Sequence, residues 1–156
     1  MPDKVGSPVQ ATVWMGSTAM NDVLVDRVEL ARRALSHLDT KITERSLDDY
    51  RPFFDLLAEK VVFEYASPAS SGSTCSKQEL VSYVTDLFGS LSDPMLAEEI
   101  RLTRSLEYFA QGDRVVVLWS ECSVDKKSGA SGPDKEAVAI FDFQGNEIVR
   151  LRKFSQ

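Results

Sequence analysis

In the last third of the chain apolar and polar residues alternate in four successive runs. Tyr108-Phe109-Ala110 passes through Gln111-Gly112-Asp113 into Arg114-Val115-Val116-Val117-Leu118-Trp119. After a polar loop, Asp125 to Lys135, comes Ala137 to Phe143. A turn at Gln144-Gly145-Asn146 then leads into Ile148 to Phe154. A period of two broken by glycine turns reads as strands joined in hairpins. The alternation extends back to Ile100, Leu102, Leu106 and Tyr108, so the first of these strands begins near Glu99. Arg104 falls on that apolar row: either it lines a polar cavity, or a bulge shifts the register there.

The first half of the chain has a helical period instead. Val28, Ala31, Leu35, Leu38 and Ile42 form one stripe of a long amphipathic helix starting near Asn21 or Asp22. A second helix is expected from about Asp48 or Asp49, which puts Pro52 in its first turn, where a missing N–H costs little. Ser46 and Asp49 also have capping-box spacing, but a helix starting there would hold Pro52 too deep. Val61 to Tyr65 is a β-rich run, which Pro68 and the stretch Ser70-Ser71-Gly72-Ser73 should end. Ser76 and Glu79 form a capping box ahead of a third helix carrying Leu80, Val84, Leu87 and Leu91. The order is two helices, a strand, a helix, then four long strands. Helices segregated to one side of an antiparallel sheet define an α+β fold.

At 156 residues the chain is expected to form one domain over 21–156, behind a flexible extension at 1–20. Trp14 and Met15 interrupt that otherwise broken segment and are the residues that could dock on the body or on a partner. The formal charge of −6 argues against nucleic acid as partner. No stretch approaches the roughly 20 apolar residues of a membrane-spanning helix. Neither a secretory pattern at the N-terminus nor a cysteine framework is evident, so a cytoplasmic setting is the default. Cys75, Cys122 and the single His37 offer no metal-ligand spacing, and no metal or other cofactor is expected.

Several local phrases resemble the NTF2-like superfamily, and more narrowly its SnoaL-like members. Leu57-Ala58-Glu59-Lys60-Val61-Val62-Phe63-Glu64 resembles the family's first strand, and Ser76-Lys77-Gln78-Glu79-Leu80 the start of its third helix. Gly112-Asp113-Arg114-Val115-Val116-Val117 and Ile148 to Phe154 resemble its third and last long strands. The resemblance covers roughly residues 22 to 155. It implies a cone-shaped curved antiparallel sheet packed on three N-terminal helices, the cystatin-like α+β barrel, with one deep pocket and a homodimer. It also implies a small apolar or oxygenated, polyketide-like ligand. The superfamily includes isomerases, polyketide cyclases, epoxide hydrolases, dehydratases and non-catalytic binding proteins, so the fold alone does not choose among them.

Tyr65 matches the position of a general-base Asp in ketosteroid isomerase relatives and of an Asn in epoxide hydrolases. Trp119 and Glu121 fall near the hydrolases' Arg and Asp, and Lys153 where a carboxylate is usual. Ala139 lies near the acid that stabilises an oxyanion in the isomerases. The characteristic acids of two branches are thus missing. What remains as catalytic candidates is Glu121, Tyr65 and Lys153. The inward rows expected are Phe63 and Tyr65; Val115, Val117, Trp119, Glu121 and Ser123; and Val149, Leu151 and Lys153. Phe63, Trp119, Arg104, His37, Phe141 and Leu151 complete the expected ligand wall.

Glu121 in an apolar cavity would have a raised pKa and carry protons near neutrality; as a strand-end residue in solvent it would do nothing. Lys153 pairs with Glu121 inside the pocket, polarises a ligand carbonyl or, if desolvated, forms a Schiff base; otherwise it is a solvated residue near the chain end. Tyr65 either donates to a substrate oxygen or fills the cone. His37 has a useful pKa, although a lone helical histidine is more often a satisfied or exposed residue. The expectation is a cofactor-independent enzyme of cyclase, isomerase or dehydratase type, or else a small-molecule binding or carrier protein of the same fold.

Overall fold

The strands at 99–125 and 135–155 build the sheet around which everything else is placed. The structure, a computed structural model, describes residues 11–15, 21–40, 45–91, 99–125 and 127–156. At 11, 14, 15, 21–26, 88–91, 99–102 and 104 it describes the backbone only. The helices are α1 (Asn21–Ala34), α2 (Arg51–Asp55) and α3 (Lys77–Leu91). The strands are β1 (Ala11–Met15), β2 (Leu57–Ala66), β3 (Ser71–Thr74), β4 (Glu99–Gln111), β5 (Arg114–Asp125), β6 (Lys135–Gln144) and β7 (Glu147–Ser155).

They form one open sheet in the order β1-β4-β5-β6-β7-β2-β3. The expected meander is present, β4 to β7 pairing antiparallel. The sheet as a whole is mixed, because β2 joins β7 and β1 joins β4 in parallel. Two glycines at positive φ, Gly112 (59°) and Gly145 (60°), close the hairpins, a conformation that costs glycine little.

Three register breaks bend the sheet. β4 against β5 slips between Arg104 and Glu107, where Ser105 takes φ 49°. β6 against β7 slips between Asp142 and Phe143, and β2 against β7 between Leu57 and Val62. An extra residue on one strand strengthens local twist and bends the strand. The bulge beside Arg104 is one of the two outcomes its apolar-row position suggested; its side chain lies outside the described ones.

Several expectations are corrected in detail. Residues 11–15, expected in a flexible extension, lie as a strand on the free edge of β4, pairing Val13 with Tyr108. The β-branched and aromatic run Thr12-Val13-Trp14 suits that edge. The long first helix ends at Ala34 and continues as a 3-10 turn, Ser36–Asp39, with Leu38 buried. Ile42 lies outside the described residues. Ser46 and Asp49 do form a capping box, on a 3-10 turn Leu47–Tyr50. α2 starts one turn later, so Pro52 still sits in its first turn. Ser71–Thr74, expected to break the chain, pairs antiparallel with β2. In β7 the bulge puts Ile148 in the core in place of Val149.

The core lies between the helices and the inner face of the sheet. α1 contributes Val28, Ala31 and Ala34, α3 Leu80 and Val84, and the strands Val61, Tyr108, Val115, Val117, Phe141, Phe143 and Ile148. Ser76 Oγ accepts the Glu79 N–H at 3.1 Å and the Glu79 carboxylate accepts the Cys75 N–H at 2.8 Å, capping α3. The opposite face of the sheet carries Phe109, Leu118 and Phe154, all exposed. Cys75 is exposed and Cys122 buried, both as free thiols. No helix among the described residues is long and apolar enough to cross a membrane.

Ile148 is fully buried and its N–H bonds the Leu56 carbonyl at 2.7 Å, tying β7 to the end of α2. Ile148→Ala is expected to cost about 2–5 kcal/mol of stability. Urea unfolding of the two proteins measures it, and a loss below about 1 kcal/mol would show that the site collapses around the smaller side chain.

Candidate active site

The inward rows of β2, β5, β6 and β7 converge under the helices on a cavity of ≈ 180 Å³. Phe63, Trp119, Phe141 and Leu151 form its wall from the sheet, and Leu35, Phe53 and Leu80 from the helical side. Its polar groups are His37, Tyr50, Tyr65, Tyr83, Lys153 and the hydroxyls of Ser67, Ser70 and Ser155. No Asp or Glu lines it among the described residues.

His37 stands on the 3-10 turn after α1, which carries it under the cone. Its ring stacks on Tyr50 at 4.0 Å between centroids and 18° between planes. Burial is the main force on its titration: it pushes the imidazole pKa well below the usual 6.5, and the Arg45 and Lys153 charges push the same way. The Ala34 carbonyl pulls weakly upward, yet Nδ1 is buried without a hydrogen bond of good geometry. The ring is therefore neutral at neutral pH. Arg45 is itself anchored, its Nε donating to the Thr40 carbonyl at 2.8 Å. Burial raises the Tyr50 pKa against the opposing charge and hydrogen bond of Arg45.

On the other side of the cavity Phe63, Tyr65 and Tyr83 form an aromatic trio. The Tyr65 and Tyr83 centroids are 4.7 Å apart, and Phe63 is 5.5 Å from each. Burial, with the neighbouring Tyr65, raises the Tyr83 hydroxyl pKa. Tyr65 lies across its β3 partner Gly72: a Cβ there would fall 2.6 Å from the Tyr65 hydroxyl oxygen. An aromatic ring covering a cross-strand glycine is a known way to seal an edge. Lys153 reaches over Trp119, with Nζ 5.8 Å from the ring centroid, a cation–π distance.

Glu121 is placed differently from the expectation. It shares the face of Trp119, as residues two apart on a strand must, and accepts the indole N–H at 2.9 Å. β5 has by then run past the rim of the cone. Glu121 consequently lines a second, polar pocket of ≈ 530 Å³, with Ser123, Lys135 and Glu136. Its charge still reaches Tyr50, where it opposes ionisation.

Of the residues named from sequence, His37, Phe63, Tyr65, Trp119, Phe141, Leu151 and Lys153 thus line one cavity. Glu121 lines the other, and the Arg104 side chain lies outside the described ones. Tyr50, Tyr83 and the hairpin serines were not anticipated. Tyr83 follows Leu80 by three residues on α3 and could have been found as part of its inward stripe. Tyr50 could not, because its position depends on the 3-10 turn. Among the described residues no three of His, Cys, Asp and Glu come together to hold a metal ion.

No protein-family model matches the chain, and no curated protein matches it in sequence. Solved structures do match its fold. An NTF2-like protein of unknown function from Mesorhizobium loti superposes with a TM-score of 0.60 at 18% identity, covering 92% of this chain and 98% of that one. A candidate SnoaL-like polyketide cyclase from Jannaschia sp. CCS1 gives 0.59 at 14% identity, covering 86% and 88%. A candidate ketosteroid isomerase from Kribbella flavida gives 0.53 at 16% identity, covering 85% and 79%. The chain has the NTF2-like fold.

Two outcomes follow from the cavity's geometry. The unfolded chain protonates His37 near 6.5 while the folded chain resists it, so stability falls as pH drops below 6.5. His37→Gln should flatten that slope relative to the parent in denaturant titrations between neutral and acid pH; parallel slopes would mean that His37 is solvated. Separately, Gly72→Ala must displace Tyr65. It is expected to cost about 1–3 kcal/mol and to shift the Tyr65 and Tyr83 ring resonances in NMR spectra. Unmoved resonances would place the tyrosine away from β3.

Proposed function

We propose that the protein moves a proton on a small, mostly apolar molecule carrying a carbonyl or enol oxygen, an acid/base reaction of the isomerase or cyclase kind. The observation that carries this reading is the neutral His37 facing the same largely apolar cavity as the Lys153 ammonium and the Tyr65 and Tyr83 hydroxyls. An imidazole held unprotonated accepts a proton from carbon or oxygen, and donors aimed at the ligand oxygen stabilise the negative charge that develops. His37 takes the role of base because it lines the cavity, whereas Glu121 borders it and holds Trp119 in place.

Size narrows the ligand. A cavity of about 150 Å³ accommodates benzene, so ≈ 180 Å³ suits one ring with a short substituent rather than a fused polycycle. Solved structures of the same fold include proteins described as candidate cyclases and isomerases, which agrees with this class of chemistry.

A second reading, a binding or carrier protein without chemistry, is favoured by the absence of any carboxylate from the described cavity lining. The two are separated with phenylacetone, a single ring with a short ketone side chain and acidic α-hydrogens, in deuterated buffer. The wild-type protein should accelerate deuterium entry at the α-carbons, and His37→Gln should lose about 10²–10⁴-fold of that acceleration while still binding the ketone. The acid limb of the rate profile should lie below pH 6.5, since the depressed pKa keeps His37 unprotonated there. Binding without acceleration in the wild type supports the carrier; full acceleration in His37→Gln removes the histidine from the mechanism.

A further inference from the structure

The ≈ 180 Å³ cavity falls short of the roughly 300–1,000 Å³ typical of small-molecule sites. The polar pocket beside it, at ≈ 530 Å³, is the larger of the two. They share two residues. Ser67, at the end of β2, and Ser155, at the end of β7, line both. Trp119 and Glu121 connect them a second time: the indole ring walls the apolar cavity, and its N–H is held by a carboxylate that lines the polar one.

The polar pocket is built from strand ends and two loops. Ser67, Pro68 and Ala69 come from the β2–β3 hairpin, and Glu121 and Ser123 from the end of β5. Gly132, Pro133, Lys135 and Glu136 come from the β5–β6 connection and the start of β6. Glu121 and Lys135 stand opposite each other in the β5–β6 register, so charges of both signs face the same space. Serine hydroxyls, the Glu121 and Glu136 carboxylates and the Lys135 ammonium together accept and donate hydrogen bonds, which suits hydroxyl groups. A carboxylate has about four acceptor sites, and the Trp119 N–H occupies one of Glu121's.

We infer that the polar pocket is a second subsite of the same binding site, and that the natural ligand is bipartite. Its apolar ring with the reacting oxygen fills the cone, and a neutral hydroxylated arm, of polyol or sugar type, passes between Ser67 and Ser155 to lie along Glu121, Ser123 and Lys135. Glu121 then acts as a specificity residue. It reads the arm and, through the indole N–H, fixes the wall against which the ring packs. The inference rests on the ring-binding reading of the cone given above and adds to it the class of substituent.

The test compares two probes, acetophenone and the 4-O-β-glucoside of 4-hydroxyacetophenone, by calorimetric titration of the intact chain. The glucoside should bind at least about tenfold more tightly, a difference of one factor of ten in Kd. Its binding should shift the Trp119 indole N–H resonance. Ser123→Phe, which fills the polar pocket, should bring the glucoside down to the affinity of acetophenone. Glu121→Gln provides the same comparison should the larger substitution unfold the protein, and it should lose most of the glucoside's advantage. Glucoside binding equal to or weaker than that of acetophenone in the wild type overturns the subsite while leaving the cone reading intact. An advantage that survives both substitutions overturns it too, since the arm would then lie elsewhere. Failure of acetophenone to bind sinks the cone reading itself, and the subsite with it.

Discussion

The bend in the sheet is the constraint on which the site depends. A flat sheet of seven strands would lay its inward rows side by side, and the helices would cover them with no space left over. Here the register breaks in β4, β7 and β2 turn those rows toward one another. Each break also changes which residues face inward. The slip in β7 sends Ile148 into the core and still leaves Leu151 and Lys153 on the cavity side. The extra residue that curves the strand thus lets one strand serve both core and site. α1 and α3 pack their small and branched residues on the lower part of the cone, and the cavity occupies what remains near the open end.

Electrostatics inside the cavity run opposite to the chain as a whole. The protein carries a formal −6, yet Lys153 lines the cavity and the Arg45 charge is felt at His37 and Tyr50. With no carboxylate among the described lining residues, the interior field favours electron-rich ligand atoms. That same field, added to burial, keeps the imidazole unprotonated. Burial is the larger force on His37, and the cationic field of Arg45 and Lys153 acts in the same direction. The Tyr50 ring stacked on His37 supplies further apolar cover and fixes the imidazole plane.

The strand rows were legible wherever alternation is uninterrupted. Val115, Val117 and Trp119 face inward as a period of two demands, and so do Phe63 and Tyr65. The same period carries Glu121 onto the correct face, but a face is not a depth. How far a strand runs past the rim depends on where the helices stop, and no local pattern in β5 encodes that. Bulges escape for a related reason: one added residue leaves composition unchanged and alters every later orientation. Arg104 was the exception, since a charged residue on an apolar row conflicts with its surroundings and so marked the slip. β3 was missed because Ser71-Gly72-Ser73-Thr74 has the composition of a loop. It is a strand because β2 offers it an unpaired edge and Tyr65 covers its glycine. Tyr83 follows the helical stripe of Leu80, whereas Tyr50 reaches the site through a 3-10 turn that no local pattern marks.

The proposed role of His37 as base, with its depressed pKa, imposes its own demand on the chemistry. The burial and cationic neighbours that keep His37 free at neutral pH also make its conjugate acid stronger, so it draws protons only from a ligand already acidified. On that reading the acidifying groups come from the same cavity, which Lys153, Tyr65 and Tyr83 line. Lys153 is positioned over Trp119 by the register of β7, and Tyr65 over Gly72 by the register of β3. The strength of the base and the placement of the donors are thus set by different parts of the chain. α1 and its following turn fix the histidine, while the far strands fix the oxygen side. The curvature of the sheet joins them, because only a bent sheet brings β2, β5 and β7 to face the turn after α1 across a space one ring wide.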